Sequence, residues 1–406
     1  MANEIQDVVI VSACRTAIGK FMGSLKDYQA IELASFVASG AIKRAGIAPD
    51  ILDEIVMGEV YSHMQGSLPA RQVAMRVGLP VRSSACNVNQ NCASGMRALD
   101  IAAKNIQLGK TAAALVVGVE SMSNVPYMLP KARSGYRMGP GQIEDALLHD
   151  ALIDRLVPGH MGVTAENVAE KYNIDRQACD ELACLSHNRA YRANRNGIFD
   201  REILPVDVGG ERFRHDEHVL PDANMESMAR LKPAFKNGGV VTAGNASGVN
   251  DGAAAVIIMA ASKAEALGVK PLMKLIAITS VGVAPELMGL GPAVAIPKCL
   301  EEARMDFDAV EYWEINEAFA AQFIGVGRML QEERGFRLDM EKVNANGSGI
   351  GLGHPIGCTG LRIVVSLYYE LERRNKKIGG ASLCVGGGPA MCSLWSRETE
   401  STVRAH

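Results

Sequence analysis

The segment AIKRAGIAPDILDEIVMGEV (41–60) overlays CLEEARMDFDAVEYWEINEA (299–318) without a gap, at an offset of 258 residues. Both read as helix, turn, acidic residue, strand and glutamate. Further along, Ser94-Gly95-Met96-Arg97 answers Thr359-Gly360-Leu361-Arg362 at an offset of 265, and LVVGVESM (115–122) answers LCVGGGPAM (383–391). Chance accounts for any one of these matches. Three in the same order, at similar offsets, indicate a duplication. A chain so built is confined to two similar halves packed together, with equivalent turns facing one shared cleft. Its 406 residues exceed what one compact core usually holds, in keeping with two or more domains.

The apolar runs VVIVSA (8–13), EIVMGEV (54–60), ALVVGVE (114–120), AAVIIMA (254–260), LMKLIAITSVGV (272–283), YWEIN (312–316) and ASLCVGG (381–387) read as strands. Their near-continuous apolar character suits sheets covered on both faces. Helical patterns lie between them. Met96, Leu99, Ala103 and Ile106 recur at helical spacing after Cys92, and Gly109 supplies a stop. Strands alternating with helices, with glycines at the ends of the runs, make this an α/β fold. Between the halves the style changes. YMLPKARSGYRMGPG (127–141) is rich in turn formers and basic residues, and a long helical stretch is expected to start at Thr164 as N-cap and run to Gly197. The chain is therefore divided into 1–121 completed by 248–272, an inserted and mostly helical region at 122–247, and 273–406. Lys131, Arg133 and Arg137 read first as a solvated face, and alternatively as a subunit contact or phosphate site. The polar tail SRETESTVRAH (396–406) reads as frayed.

A net charge of -3 speaks against nucleic acid or an anionic membrane as partner. The longest apolar run, GAAAVIIMAA (252–261), is too short to span a bilayer, and the first residues form neither a secretion signal nor a transit peptide. A soluble, cytoplasmic protein is expected. Nine cysteines, an odd number without a C-x-x-C pair, indicate reduced thiols. No H-E-x-x-H or paired Cys/His spacing suggests a metal site. No G-x-G-x-x-G supports a nucleotide-dependent oxidoreductase on a Rossmann-like sheet.

Four turn-rich signatures carry polar or nucleophilic residues: NQNCASG around Cys92, NEAF from Asn316, NGSGIGLGHPIGCTG around His354, and LCVGGGPAMC around Cys384. Most free cysteines are inert core residues. Under the repeat, however, Cys92 and the His354 region fall at corresponding positions, while Asn316 and Cys384 end strands of the second half. Four such groups at equivalent ends of related sheets would converge on one crevice.

CRTAIGKF (14–21), CASG (92–95), HMGVTAEN (160–167), GNASGVNDGAAA (244–255), NEAFAAQ (316–322), GHPIGCTG (353–360) and CVGGG (384–388), in this order, resemble the thiolase family over essentially the full length. The likeness is closest to members that handle acetoacetyl-CoA. It implies duplicated α/β halves layered α-β-α-β-α, with an inserted, mostly helical loop domain contacting coenzyme A and other subunits. It also implies acetyl-CoA C-acetyltransferase activity: reversible thiolysis of acetoacetyl-CoA, or Claisen condensation of two acetyl-CoA, through an acetyl-cysteine. The alternative is a broader-chain 3-ketoacyl-CoA thiolase of fatty acid degradation; the His160-Met161-Gly162 form favours short chains.

By this resemblance Cys92 is the nucleophile, His354 the base hydrogen-bonded to it, and Cys384 the general acid/base. Helix dipole and imidazole are both expected to favour the Cys92 thiolate. One oxyanion site would use His354 and a water held by Asn316, the other the N–H groups of Cys92 and Gly386. Ser247 matches a residue beside the pantetheine arm; Met161, Phe319, Met288 and Leu152 match the substrate pocket. Coenzyme A is substrate and product, with no metal or organic cofactor. Where many relatives place an arginine on coenzyme A this chain has Leu220, so Lys232 is a candidate phosphate contact. The loop after Cys384 is about two residues short, Ser348 stands for a usual glycine, and Cys358 for a usual alanine. Segment 131–141 resembles the loop that joins dimers, so a homotetramer, a dimer of dimers, is expected. Cys92 and Cys384 would lie near disulfide reach, with Cys86 or Cys358 as further partners, so that oxidation would switch the protein off. A non-catalytic coenzyme A-binding relative would have no need of Cys92, His354, Asn316 and Cys384 together.

Overall fold

The first half runs through β1 (Val8–Arg15), α1 (Ala30–Ala45), β2 (Glu54–Gly58), β3 (Ser84–Val88), α2 (Ser94–Gln107) and β4 (Ala113–Ser121). An intervening region holds α3 (Met161–Lys171) and α4 (Arg176–Arg195), after which β5 (Asn250–Ala260) returns to the first half's sheet. The second half follows as β6 (Met273–Gly282), α5 (Gly291–Ala303), β7 (Tyr312–Ile315), α6 (Ala320–Arg334), α7 (Ile356–Arg373), β8 (Ile378–Cys384) and β9 (Pro389–Ser396). The computed structural model describes residues 5–399, so the last part of the tail read as frayed, 400–406, lies outside the described residues.

The duplication is written into the strand order, β7-β8-β9-β6-β1-β5-β4-β2-β3. Apart from the terminal β3, it is a palindrome of equivalent strands about the β6–β1 contact. There Val9 lies opposite Lys274, its own counterpart at the 265 offset, so a pseudo-twofold axis passes through that pair. Even the irregularities repeat: β1 skips a residue between Ile10 and Ser12, and β6 between Leu275 and Ala277. At the 258 offset, α1 and α5 both end in a left-handed residue, Gly46 (φ 66°) and Arg304 (φ 53°).

Five layers result. α1 covers the outer face of the first half's strands, α5 that of the second's, and α2 with α7 fills the space between. Met96, Leu99 and Ile106 of α2 pack there with Leu361, Val365 and Leu371 of α7, all fully buried. The two helices cross closely because equivalent glycines face each other's backbone. A Cβ on Gly95 would lie 2.9 Å from Leu361 N, and one on Gly360 would lie 2.8 Å from Met96 N. That crossing holds the N-terminal turns of both helices, with Cys92 and His354 just ahead of them, side by side.

The structure departs from the sequence reading at several points. The run 381–387 is strand only to Cys384; beyond it Gly387 (φ 89°) and Gly388 (φ 106°) turn the chain into β9. β3 and β9 were not legible, because SACNV is polar and part-exposed at the sheet edge and serines interrupt PAMCSLWS. The helix expected from Thr164 starts earlier: His160 is the N-cap, its Nδ1 accepting from Gly162 N at 3.1 Å, while Thr164 Oγ1 donates to Met161 O inside the first turn. Nor is it one long helix, since the chain breaks after Lys171 and Asp175 caps α4 anew through Ala178 N. Three two-stranded ribbons accompany these helices in the same stretch.

Candidate active site

A cavity of about 700 Å³, its open mouth included, is lined by Cys92, His354 and Cys384 together. Each arrives from a different element. Cys384 is the last residue of β8, Cys92 precedes α2, and His354 precedes α7. Both halves contribute, as the repeat requires.

Cys92 is presented by a strained turn. Asn91 takes a left-handed conformation (φ 44°), Ala93 N donates to Gln90 O at 3.1 Å, and Ser94 Oγ closes the turn on Asn91 O at 2.7 Å. Burial pushes the Cys92 thiol up to about 11, against the opposing pull of the Gly386 N–H on its sulfur; the Glu120 carboxylate adds a smaller upward push. Burial thus favours the neutral thiol in the resting site, against the expectation that helix dipole and imidazole favour the thiolate.

His354 is buried, and burial followed by the nearby Arg362 charge lowers its imidazole to about 3. Its tautomer follows from its neighbours. Thr359 Oγ1 donates to Pro355 O at 2.9 Å, so at 2.6 Å it accepts the Nδ1 proton of His354. Nε2 is left as a bare acceptor with no protein partner, so the expected hydrogen bond between His354 and Cys92 is not formed in this structure. A neutral imidazole whose free lone pair belongs to a pocket shared with a thiol is equipped to take that thiol's proton.

Cys384 is fully buried and its thiol is raised strongly, by desolvation first and then by the negative charge Cys92 would carry, which sets the two sulfurs within electrostatic reach. All nine cysteines are free thiols; Cys86 lies on β3 and Cys358 in α7, and neither lines the cavity. The short loop after Cys384 closes tightly, with Gly388 N on Val385 O at 3.1 Å and Val283 N on Gly388 O at 2.8 Å. Gly386 lines the cavity, its carbonyl held by Asn91 Nδ2 at 3.0 Å. Ser348 and Cys358 are absorbed into buried packing, Ser348 Oγ donating to Ile315 O at 3.3 Å.

The walls are apolar. Met161 presses its thioether on Gly386, where a Cβ would lie 2.6 Å from Cε. Met288, Leu152, Ser247 and Phe319 also line the space. Ser247 and Phe319 come together because Ser247 N donates to Ala318 O at 2.8 Å and Ala320 N to Asn245 O at 2.9 Å, zipping GNAS onto NEAF. Phe235 completes this side, stacked on His160 at 4.5 Å and edge-on to Phe319 at 6.2 Å. The sequence offers no signal for Phe235; His160 lies in HMGVTAEN and Asn91 in the nucleophile's turn, and nothing in either stretch marks them as site residues.

Two predicted residues do not line the cavity. Asn316 is fully buried, its main-chain N–H on Ser382 O at 3.0 Å and neither side-chain amide atom bonded within the protein. Lys232 is exposed, three residues before Phe235, and outside the lining. Among the described residues there is no group of three His, Cys, Asp or Glu arranged to hold a metal, and no helix is long and apolar enough to cross a membrane.

Residues 8–262 match the thiolase N-terminal domain and residues 269–397 the thiolase C-terminal domain. An acetyl-CoA acetyltransferase of Cupriavidus necator is 46% identical over 387 residues, covering 94% of this chain and 97% of that protein. One from Escherichia coli is 45% identical, covering 97% and 100%. The solved structure of acetyl-CoA acetyltransferase from Syntrophomonas wolfei superposes with a TM-score of 0.96 at 59% identity, over 97% of this chain and 100% of that one. Human mitochondrial 3-ketoacyl-CoA thiolase superposes with a TM-score of 0.93 at 37% identity, over 97% and 99%. With two family domains spanning nearly the whole chain and a cavity where two thiols and an imidazole meet, the chain belongs to the thiolase family.

Proposed function

We propose that the protein is an acetyl-CoA C-acetyltransferase, cleaving acetoacetyl-CoA with coenzyme A or condensing two acetyl-CoA in reverse. The observation that carries this is the meeting of Cys92, His354 and Cys384 in one apolar cavity. In thiolysis Cys92 attacks the keto carbon of acetoacetyl-CoA as its proton passes to His354 Nε2. The bond between carbons 2 and 3 breaks, Cys384 protonates the departing acetyl-CoA enolate, and the acetyl group remains on Cys92. Coenzyme A enters, gives its thiol proton to the Cys384 thiolate and removes the acetyl group, while His354 returns its proton to Cys92. Negative charge on the thioester oxygens would meet His354 with a water held by Asn316 on one side, and the N–H groups of Cys92 and Gly386 on the other. The unpartnered amide of Asn316 suits a water-holding role. Coenzyme A is substrate and product here, and the scheme calls on no metal or organic cofactor.

Ser247 would lie along the pantetheine arm, with Met161, Met288, Leu152 and Phe319 closing on the acyl end. Lys232 is the reserve contact for a phosphate beyond the mouth. Short chains are favoured by the packing of Met161 on Gly386. kcat/KM for acetoacetyl-CoA should exceed that for a medium-chain 3-ketoacyl-CoA by about 10-fold or more, since a few misfit methylenes cost ~1–3 kcal/mol. Equal values would favour the broad-chain alternative. A tetramer working in the cytoplasm completes the reading. Met138 and Ile143 stand 97% and 65% exposed around the 131–141 loop, apolar surface that a second dimer would cover, and nine free thiols suit a reducing compartment.

Thr359→Val keeps the side-chain shape but removes the oxygen that fixes the His354 tautomer. kcat should fall roughly 10–100-fold with KM little changed, the signature of a misoriented base. Steady-state kinetics at saturating coenzyme A checks this, and an unchanged kcat would contradict the role given to His354.

A further inference from the structure

Glu120, at the end of β4, is fully buried beneath the catalytic turns. Its Oε1 accepts from Tyr61 N at 3.0 Å, and its Oε2 from Val60 N at 3.1 Å and Gly357 N at 2.8 Å. These donors belong to the loop after β2 and to the first turn of α7, and each leads to one arm of the centre. Gly357 follows His354 by three residues. It must be glycine, because a Cβ there would lie 2.7 Å from Glu120 Oε2 and 2.9 Å from Glu59 Cα. Val60, on the loop after β2, accepts from Asn89 Nδ2 at 3.4 Å through its carbonyl; Asn89 Oδ1 accepts from Asn91 N at 2.9 Å; and Asn91 Nδ2 holds Gly386 O at 3.0 Å. At the equivalent position the second half has Val385, by the 265 offset. A buried carboxyl where the other half has a valine, beside a thiol whose ionisation it opposes, calls for a function.

We propose that Glu120 is a positioning residue of the acyl-transfer centre, holding the Cys92 turn and the His354 loop at one spacing through its three main-chain hydrogen bonds. This rests on the roles given above to Cys92 and His354. The titratable groups facing it are Glu59 and Tyr61 from the loop after β2, Cys92 from the turn before α2, and Cys358 from α7. Burial, then the Glu59 charge, raises Glu120 to about 8, below Cys92 at about 11. Glu120 therefore ionises first, and its negative charge then opposes formation of the thiolate. Removing the carboxyl should thus loosen the centre and, at the same time, make the Cys92 thiol more acidic.

Glu120→Gln retains the length, loses the charge and turns an amide N–H₂ toward main-chain donors. kcat for thiolysis should fall roughly 30-fold with KM within about threefold. The pH profile for alkylation of Cys92 by iodoacetamide should shift to lower pH by about half a unit, whatever happens to the plateau. A merely loosened pocket would change the plateau and leave the midpoint in place. kcat within twofold of the parent, or a kcat loss with an unmoved profile, would overturn the proposal. Asn89→Ala, in the part-exposed turn, cuts the relay to Gly386 while keeping the charge. It should lower kcat roughly fivefold with the profile unmoved, and if Glu120→Gln fails to fold, an unchanged kcat in Asn89→Ala is the contrary result. Peptide mapping of the alkylated parent protein separates the two failures: inactivation through a cysteine other than Cys92 would sink the underlying catalytic reading rather than the positioning role.

Discussion

Cys92→Ser should lower kcat for acetoacetyl-CoA thiolysis by at least about 10³-fold while the protein stays folded. The argument lies in the resting state of the pocket. Burial leaves Cys92 a thiol and His354 a neutral, weak base, so no stable ion pair waits for substrate. Proton transfer must accompany the attack, helped by the Gly386 N–H on the sulfur. A polarisable thiol tolerates such a concerted path; a hydroxyl, far less acidic and less nucleophilic, does not. Incubation with [14C]acetyl-CoA followed by peptide mapping checks the same claim from the other side. The label should sit on the Cys92 peptide alone and vanish in the serine variant. Label on any of the other eight cysteines would end the assignment.

Cys384→Ala should separate the two half-reactions. Condensation, which needs an α-proton removed from acetyl-CoA, should drop by about 10²–10⁴-fold, the range spanned by a positioned acid/base. Acetylation of Cys92 and exchange of the acetyl group between coenzyme A molecules should persist within roughly tenfold, because a thiol of pKa about 8.5 can reach the pocket already ionised. The high proton affinity of the buried Cys384 thiol is what suits it to protonate a carbanion, and what makes its loss so specific. The measurement is a radiolabel exchange assay run beside a condensation assay on one preparation. If both half-reactions collapsed equally, Cys384 would be a structural neighbour of the nucleophile rather than its proton donor.

Much of the frame was legible because duplication is a covalent fact, visible as two offsets. The turn after α1 and the turn after α5 are equivalent to the residue, down to the left-handed Gly46 and Arg304. Most strands read from apolar runs are buried on both faces; β6 is the half-buried exception, and β9 escaped although it is buried because serines break its apolar run. β3 escaped because an edge strand need not be apolar. Thr164 drew attention as a cap because hydroxyls usually cap helices, but the ring nitrogen of His160, held against Phe235, reached the amide first. Cys92, His354 and Cys384 could be singled out from motifs; Phe235 could not, since nothing in KPAFKNGG separates a pocket wall from a surface loop.

By itself the sequence determined a duplicated α/β chain and the residues with reactive side chains, because both depend on identity and order along the backbone. Only the tertiary structure decided which form those side chains take. Desolvation acts through every neighbouring atom regardless of chain distance, and here it raises the Cys92 thiol and favours the neutral imidazole of His354. It also decided that Asn316 and Lys232 do not line the cavity, and that Glu120 bonds Val60 and Gly357, 60 and 237 residues away from it in sequence. Such contacts arise from how the layers stack, and no local stretch of sequence records them.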